Sequence, residues 1–341
     1  MKSAYTSREA RNHVLSRVFN EMAIGSEAER HDSYDPREEQ RKRREMGDAG
    51  PDSFTDSLIE ELLIPIETGF LKGYLYRPAK RAVIEPTRVV IFFSGSAGSN
   101  PSMAGSAVNV YNRMGTVVVG VDYRGFGASD NAPPLPPLTG STITESSLYQ
   151  DGHRIYRYVQ ESMGITAAGV ILHGFSLGGA VAARLAADIA EESARTGDQN
   201  RIGGLVLHSS IRTMTHAAAA TLPLPKPLSS ILGWIGGKLT GGAYDAASHL
   251  RRLAQYDPDI PIHFRGGVVE KGDALSLEST RLELTPGFKN ATVYNGGEGH
   301  QSVIPGSKQG DNMTEGLAAL ERIVCGLYKK SRVSQSARYN Q

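Results

Sequence analysis

Residues 169–186 read GVILHGFSLGGAVAARLA, and this stretch decides the architecture. Val170, Ile171 and Leu172 form a continuous apolar run without polar alternation, the pattern of a strand covered on both faces. From Ala180 onward the residues turn to Ala, Leu and Arg, the texture of a helix. Between the two lies Gly174-Phe175-Ser176-Leu177-Gly178, which fits G-x-S-x-G. A strand that enters a helix through so sharp a turn forces its central serine into strained backbone geometry, and the flanking glycines remove side chains that would clash there. Ser176 Oγ is then expected to stand above the sheet as a nucleophile. The N–H of Leu177, at the helix N-terminus, is expected to donate to a developing oxyanion. A serine at a strand-to-helix turn is also met as a plain structural residue, so the reading depends on partners elsewhere in the chain.

Working outward, further buried-strand candidates recur as RVVIFFSG (88–95), TVVVGVDYRG (116–125), GLVLHSS (204–210), IPIHFRG (260–266) and ATVYN (291–295). LYQDGHRIYRYVQESM and GGAVAARLAADIAEESAR are long enough and periodic enough to be crossover helices. Ahead of these, ELLIPIE (61–67) and FLKGYLYRP (70–78) flank Thr68-Gly69 and predict an antiparallel hairpin. The expected class is α/β and doubly wound: a mostly parallel central sheet with helices on both faces and catalytic loops at the carboxyl ends of the strands. Residues 215–250, apolar and punctuated by Pro and Gly, predict an inserted cap, and a final helix is expected over about 311–330.

A serine hydroxyl is a weak nucleophile at neutral pH and requires a general base and a group to orient that base. Of the nine histidines, His300 alone follows the last strand in a Gly-rich turn, GGEGHQSV, and is the expected base. His173 and His208 lie near strand ends and read as packed residues. The acid should follow the penultimate strand, where FRGGVVEKGDAL offers Asp273 and Glu270. Asp273 is preferred because Gly272 precedes it and a plausible helix follows, with Glu270 the alternative. Its role is to hold the imidazole tautomer and stabilise the imidazolium. The second oxyanion donor is expected from Ser94-Gly95-Ser96-Ala97-Gly98-Ser99-Asn100, with Ser96 N–H named. No Walker lysine and no G-x-G-x-x-G accompany that loop, which argues against phosphate cradling.

With these motifs in view, residues 58–330 resemble the α/β-hydrolase superfamily, whose nucleophile–acid–base order matches Ser176, Asp273 and His300. FFSGSAGS, DYRGFGASD and GFSLGG are similar to the branch carrying HGNAG-like and DYRGxGxS signatures, with depalmitoylase-like, lysophospholipase-like and esterase-like members. The histidine usual in the oxyanion loop of that branch is Ser94 here. Because the donors are backbone amides, the hole does not need it. The resemblance implies a cofactor-independent serine hydrolase acting on an ester or thioester. Asp122, Tyr123 and Arg124 are expected to brace the active-site loops.

Composition sets the remaining bounds. The chain has 341 residues, of which 40% are hydrophobic, enough for a sizeable core. With 37 Lys+Arg against 36 Asp+Glu there is no global field to attract nucleic acid. One cysteine, Cys325, excludes an intramolecular disulfide and a Cys-rich zinc site; neither metal nor cofactor is expected. Residues 1–57 are charged and read as a partly helical or disordered arm, outside the resemblance, and 331–341 as a polar tail. No apolar segment suits a Sec signal or a membrane span, so the expected location is the cytoplasm or a signal-peptide-independent export route. The expected partner is a small-molecule or lipid-like acyl substrate. Peripheral membrane contact through the cap and a protein partner for the arm are further expectations. The rival readings are a serine peptidase and a non-catalytic binding or scaffold protein on the same fold.

Overall fold

In the computed structural model, residues 34–47, 57–67, 69–79, 88–96, 99–130, 143–198, 200–213, 244–266 and 287–295 are described. They build the expected α/β architecture around one eight-stranded sheet. The hairpin forms first along the chain: β1 (Ser57–Ile66) pairs antiparallel with β2 (Gly69–Pro78), Ile66 opposite Gly69. β3 (Val89–Phe93), β4 (Val117–Val121), β5 (Val170–Phe175), β6 (Gly204–His208), β7 (Ile262–Gly266) and β8 (Ala291–Asn295) follow. Their spatial order is β1-β2-β4-β3-β5-β6-β7-β8, and every pairing from β4 through β8 is parallel. All residues of VVIFF in β3 and VVVGV in β4 are buried, as continuous apolar runs covered on both faces require.

The chain crosses from β4 over β3 to β5, so the direction of winding reverses at β3. The carboxyl ends of β3 and β5 flank this switch point, where open α/β sheets place their ligands. Helix α2 (Asn100–Arg113) covers one face, through an apolar cluster that includes Val90, Phe92, Val108, Tyr111 and Ile171. On the other face lie α3 (Glu145–Met163), α4 (Leu177–Thr196) and α5 (Ala246–Tyr256), with Leu148, Ile155, Val181, Leu185 and Leu250 in the larger cluster. Local chemistry sets the helix ends. Thr144 and Ser147 form a reciprocal capping box at the start of α3, and Gly164 closes it at φ 66°, a backbone that glycine takes without cost.

The structure adds detail to two spans. Within the charged arm, α1 (Pro36–Glu45) is docked on the β1–β2 hairpin. Arg37 pairs with Glu61 at 2.8 Å and lies over the Tyr74 ring, while the Gln40 side chain donates to the Ser57 carbonyl at 2.8 Å. At the far end of the span read as a cap, Ala246–Leu250 belong to α5, and Leu250 and Leu253 are buried in the cluster that also holds Leu185 and Ile189 of α4. Residues 215–243 of that span, the helix expected over 311–330 and the tail lie outside the described residues.

Candidate active site

Ser176 follows the last residue of β5 and precedes the first of α4, with φ 51° and ψ −117°. A non-glycine residue in that region is strained by about 1–3 kcal/mol and persists only where its surroundings hold it. Here they do. The Ser176 N–H donates to the His208 carbonyl at 2.9 Å, and the Ser176 carbonyl accepts from Gly179 N–H at 3.0 Å and Ile211 N–H at 3.3 Å. The three glycines around the serine are there for space. A methyl on Gly174 would meet Gly179 Cα at 2.5 Å, one on Gly178 would meet the Ser94 carbonyl oxygen at 2.6 Å, and one on Gly179 would run into Ser210. The turn thus brings β5, α4, the end of β3 and the end of β6 into contact at one point.

The loop after β3 reaches Ser176. A methyl on Gly95 would lie 3.3 Å from Ser176 Cβ, so the Ser94-Gly95-Ser96 turn abuts the elbow. Ser94 is buried, and the Tyr123 hydroxyl donates to its carbonyl at 3.5 Å. Leu177 opens α4, so its N–H belongs to the first turn, which has no carbonyl partner four residues back. The structure therefore assembles Ser176, Leu177 and the Ser94–Ser96 turn. Asp273, Glu270 and His300 lie outside the described residues. The strands they follow end on the same edge of the sheet as Ser176, β7 at Gly266 and β8 at Asn295.

The segment after β4 braces these loops. Asp122 accepts from the backbone N–H of Asn100, at the start of α2, and from Ala128 N–H at 3.4 Å. Arg124 binds Asp151 of α3 through its backbone N–H, Nε and Nη2 at 2.9, 2.9 and 2.6 Å. Burial raises the Asp151 carboxyl and the Arg124 donors work against that rise. His173 and His208 are buried, as their positions implied. His173 Nδ1 shares a hydrogen bond with the Tyr111 hydroxyl at 3.1 Å, and its ring meets Phe92 edge-on at 5.1 Å.

Two polar clusters that the sequence did not reveal tie α3, α4 and α5 together below the elbow. Burial would raise the Asp188 carboxyl, but hydrogen bonds from His153 and Arg184 and the charges of Arg184 and Arg252 outweigh it and hold it at about 2. Glu145 accepts from the Tyr149 hydroxyl at 2.7 Å and from Tyr244 N–H at 2.8 Å, and burial raises its carboxyl. His249, edge-on to Tyr149, is lowered to about 4 by burial and by Arg184 and Arg252. Among the described residues, no helix is long and apolar enough to cross a membrane.

Sheet order, parallel pairing and the strained serine between β5 and its helix define an α/β hydrolase. The chain belongs to the Hydrolase_4 family, described as serine aminopeptidase S33, whose model matches residues 84–259, more than half its length. It is 28% identical over 275 residues to the multifunctional-autoprocessing repeats-in-toxin of Vibrio vulnificus; that match covers 80% of this chain and 5% of the toxin. The chain thus spans only a small part of that relative's length. Among solved structures, the alpha-beta hydrolase from Vibrio vulnificus superposes with TM-score 0.65 at 24% identity, covering 92% of this chain and 93% of that one. A fungal esterase from Rhizomucor miehei superposes with TM-score 0.53 at 16% identity, covering 94% and 96%.

Proposed function

We propose that the protein is a serine hydrolase that cleaves a carboxylic ester or thioester, with a hydrophobic acyl group, through an acyl-enzyme. The observation that carries this reading is Ser176 at φ 51°, held on both its N–H and its carbonyl at the head of a helix. Ser176 Oγ attacks the acyl carbon while His300 takes its proton. The amides of Ser96 and Leu177 bind the oxyanion, and His300 returns the proton to the leaving alcohol or thiol. Water then repeats the sequence and frees the acid. Asp273, or Glu270 in its place, orients His300. Chain reach supports the pairing. With about 4.8 Å between strands, the end of β8 is about 14 Å from that of β5, and the five residues from Asn295 to His300 can span about 17 Å.

The apolar cap sequence favours an acyl chain over a small charged substrate, and FFSGSAGS with DYRGFGASD supports the HGNAG/DYRGxGxS branch. The kinship with a toxin segment supports delivery into another cell, with residues 1–57 as the docking arm. Loss of export on deleting that arm is the expected result, and unchanged export refutes it. The family's description as a serine aminopeptidase keeps a peptidase as the second reading. p-Nitrophenyl esters of graded chain length, run beside aminoacyl p-nitroanilides, separate the two: turnover confined to the anilides overturns the ester reading. A chain that turns over neither is a binding protein on the hydrolase fold.

A further inference from the structure

The β5–β6 ladder does not stop at the ends of its strands. Its last rung joins the N–H of Ser176 itself to the His208 carbonyl at 2.9 Å. Both chains turn away immediately afterwards, and both do so through a serine with positive φ: Ser176 at 51° and Ser209 at 43°. The second turn folds the chain back across the elbow. Ile211 N–H then reaches the Ser176 carbonyl at 3.3 Å, and Ser210 Oγ donates to the Gly174 carbonyl at 3.4 Å. Ser210 also occupies the space against Gly179 that any side chain there would need.

Folding alone does not account for Ser209. Glycine would take φ 43° without strain. The serine instead adds a hydroxyl that is buried and makes no hydrogen bond among the described residues, on a residue 1% exposed. Strain combined with an unsatisfied buried group is tolerated mainly where a position serves function.

We infer that His208–Ile211 is a clasp that sets the position of the nucleophile, with Ser209 and Ser210 as its positioning residues. The clasp occupies the N–H of Ser176 and contributes one of the two bonds to its carbonyl, so the serine backbone cannot relax toward ordinary helical geometry. Its effect is on the Oγ: displacement by about 1 Å can cost about 10²-fold in rate. This inference rests on the hydrolase reading and adds residues that act through Ser176 without touching substrate.

The test measures kcat, KM and the saturating rate of fluorophosphonate labelling for the full chain and for Ser210→Ala, Ser210→Val, Ser209→Val and Ser209→Gly. Ser210→Val crowds Gly179, and its kcat and labelling rate are expected to fall at least tenfold with KM within twofold. Ser210→Ala, which keeps the space and loses only the bond to Gly174, is expected to fall less, and serves if the valine variant does not fold. Ser209→Gly, able to adopt φ 43°, is expected to retain several-fold more kcat than Ser209→Val. Folded Ser210 variants with wild-type kcat and labelling rate overturn the clasp alone. A wild-type chain that neither labels nor turns over substrate overturns the hydrolase reading and the clasp with it.

Discussion

The Cα of Gly178 lies so close to the Phe93 carbonyl that a methyl group on it would stand 2.6 Å from the Phe93 carbonyl carbon. Helix α4 therefore enters directly beneath the strand whose following loop abuts Ser176. Gly178→Ala must push α4 away from β3 and move both candidate oxyanion amides. Overpacking of this kind costs about 1–3 kcal/mol. The expected result is a lowered melting temperature and at least tenfold slower fluorophosphonate labelling; a folded, fully reactive variant would show that the close approach is not needed.

Arg124 and Asp151 form a buried pair, 7% and 0% exposed. Removing the guanidinium takes away two of the carboxyl's three donors, Nε and Nη2, and leaves a buried carboxylate with the Arg124 backbone N–H alone from that residue, a change that typically costs about 3–5 kcal/mol. Arg124→Ala should therefore lower the urea midpoint markedly. Pairing it with Asp151→Leu should recover part of the loss, which a double-mutant cycle in urea measures.

Acid stability should fall in two steps. His249 is lowered to about 4, so below its ordinary value near 6.5 the unfolded chain takes up a proton that the folded chain does not. Stability is lost as pH falls from about 6.5 toward 4. The groups facing this ring are Tyr149 from α3 and Arg184, Asp188 and Arg252 from α4 and α5. Asp188, held at about 2 against an ordinary 3.8, adds stability above pH 4 that is lost as pH falls through 2. After screening of its partly exposed partners this amounts to about 1–2 kcal/mol. His249→Gln should flatten the upper limb and Asp188→Asn the lower, in denaturation midpoints followed against pH.

Tyr34 packs against the cluster that holds Tyr74 and Tyr76, Arg37 of α1 lies over the Tyr74 ring, and Gln40 fastens α1 to the Ser57 carbonyl. Deleting residues 1–47 should lower the melting temperature by several degrees, as expected for roughly 1–2 kcal/mol in a domain of this size. Unchanged melting would mean that α1 is dispensable for stability.

The sheet was legible in the sequence because VVIFF, VVVGV, VILHGF and GLVLH are continuous apolar runs that only a doubly covered strand accommodates. The elbow was legible because crowding at Gly174, Gly178 and Gly179 leaves a fixed glycine pattern around Ser176. Docking of α1 was not, since its buried residues include Pro36 and Gln40 and its anchors are a guanidinium and an amide donating to main chain. Nor was the start of α5, whose first buried residues are Ala246 and Ala247 and which merges with an apolar, glycine-punctuated stretch. The grip of His208 on Ser176 runs through main-chain atoms and leaves no side-chain pattern to read.

The central claim is that Ser176 is a nucleophile served by His300, and labelling by a fluorophosphonate probe tests it most directly. Wild type, Ser176→Ala and His300→Ala are compared at equal concentration, with circular dichroism confirming that each is folded. The account predicts rapid labelling of wild type, none of Ser176→Ala, and a loss of at least a hundredfold in His300→Ala, since general-base assistance contributes about 10²–10⁴-fold. Labelling that persists in Ser176→Ala, or a folded wild-type chain that does not react at all, would contradict it.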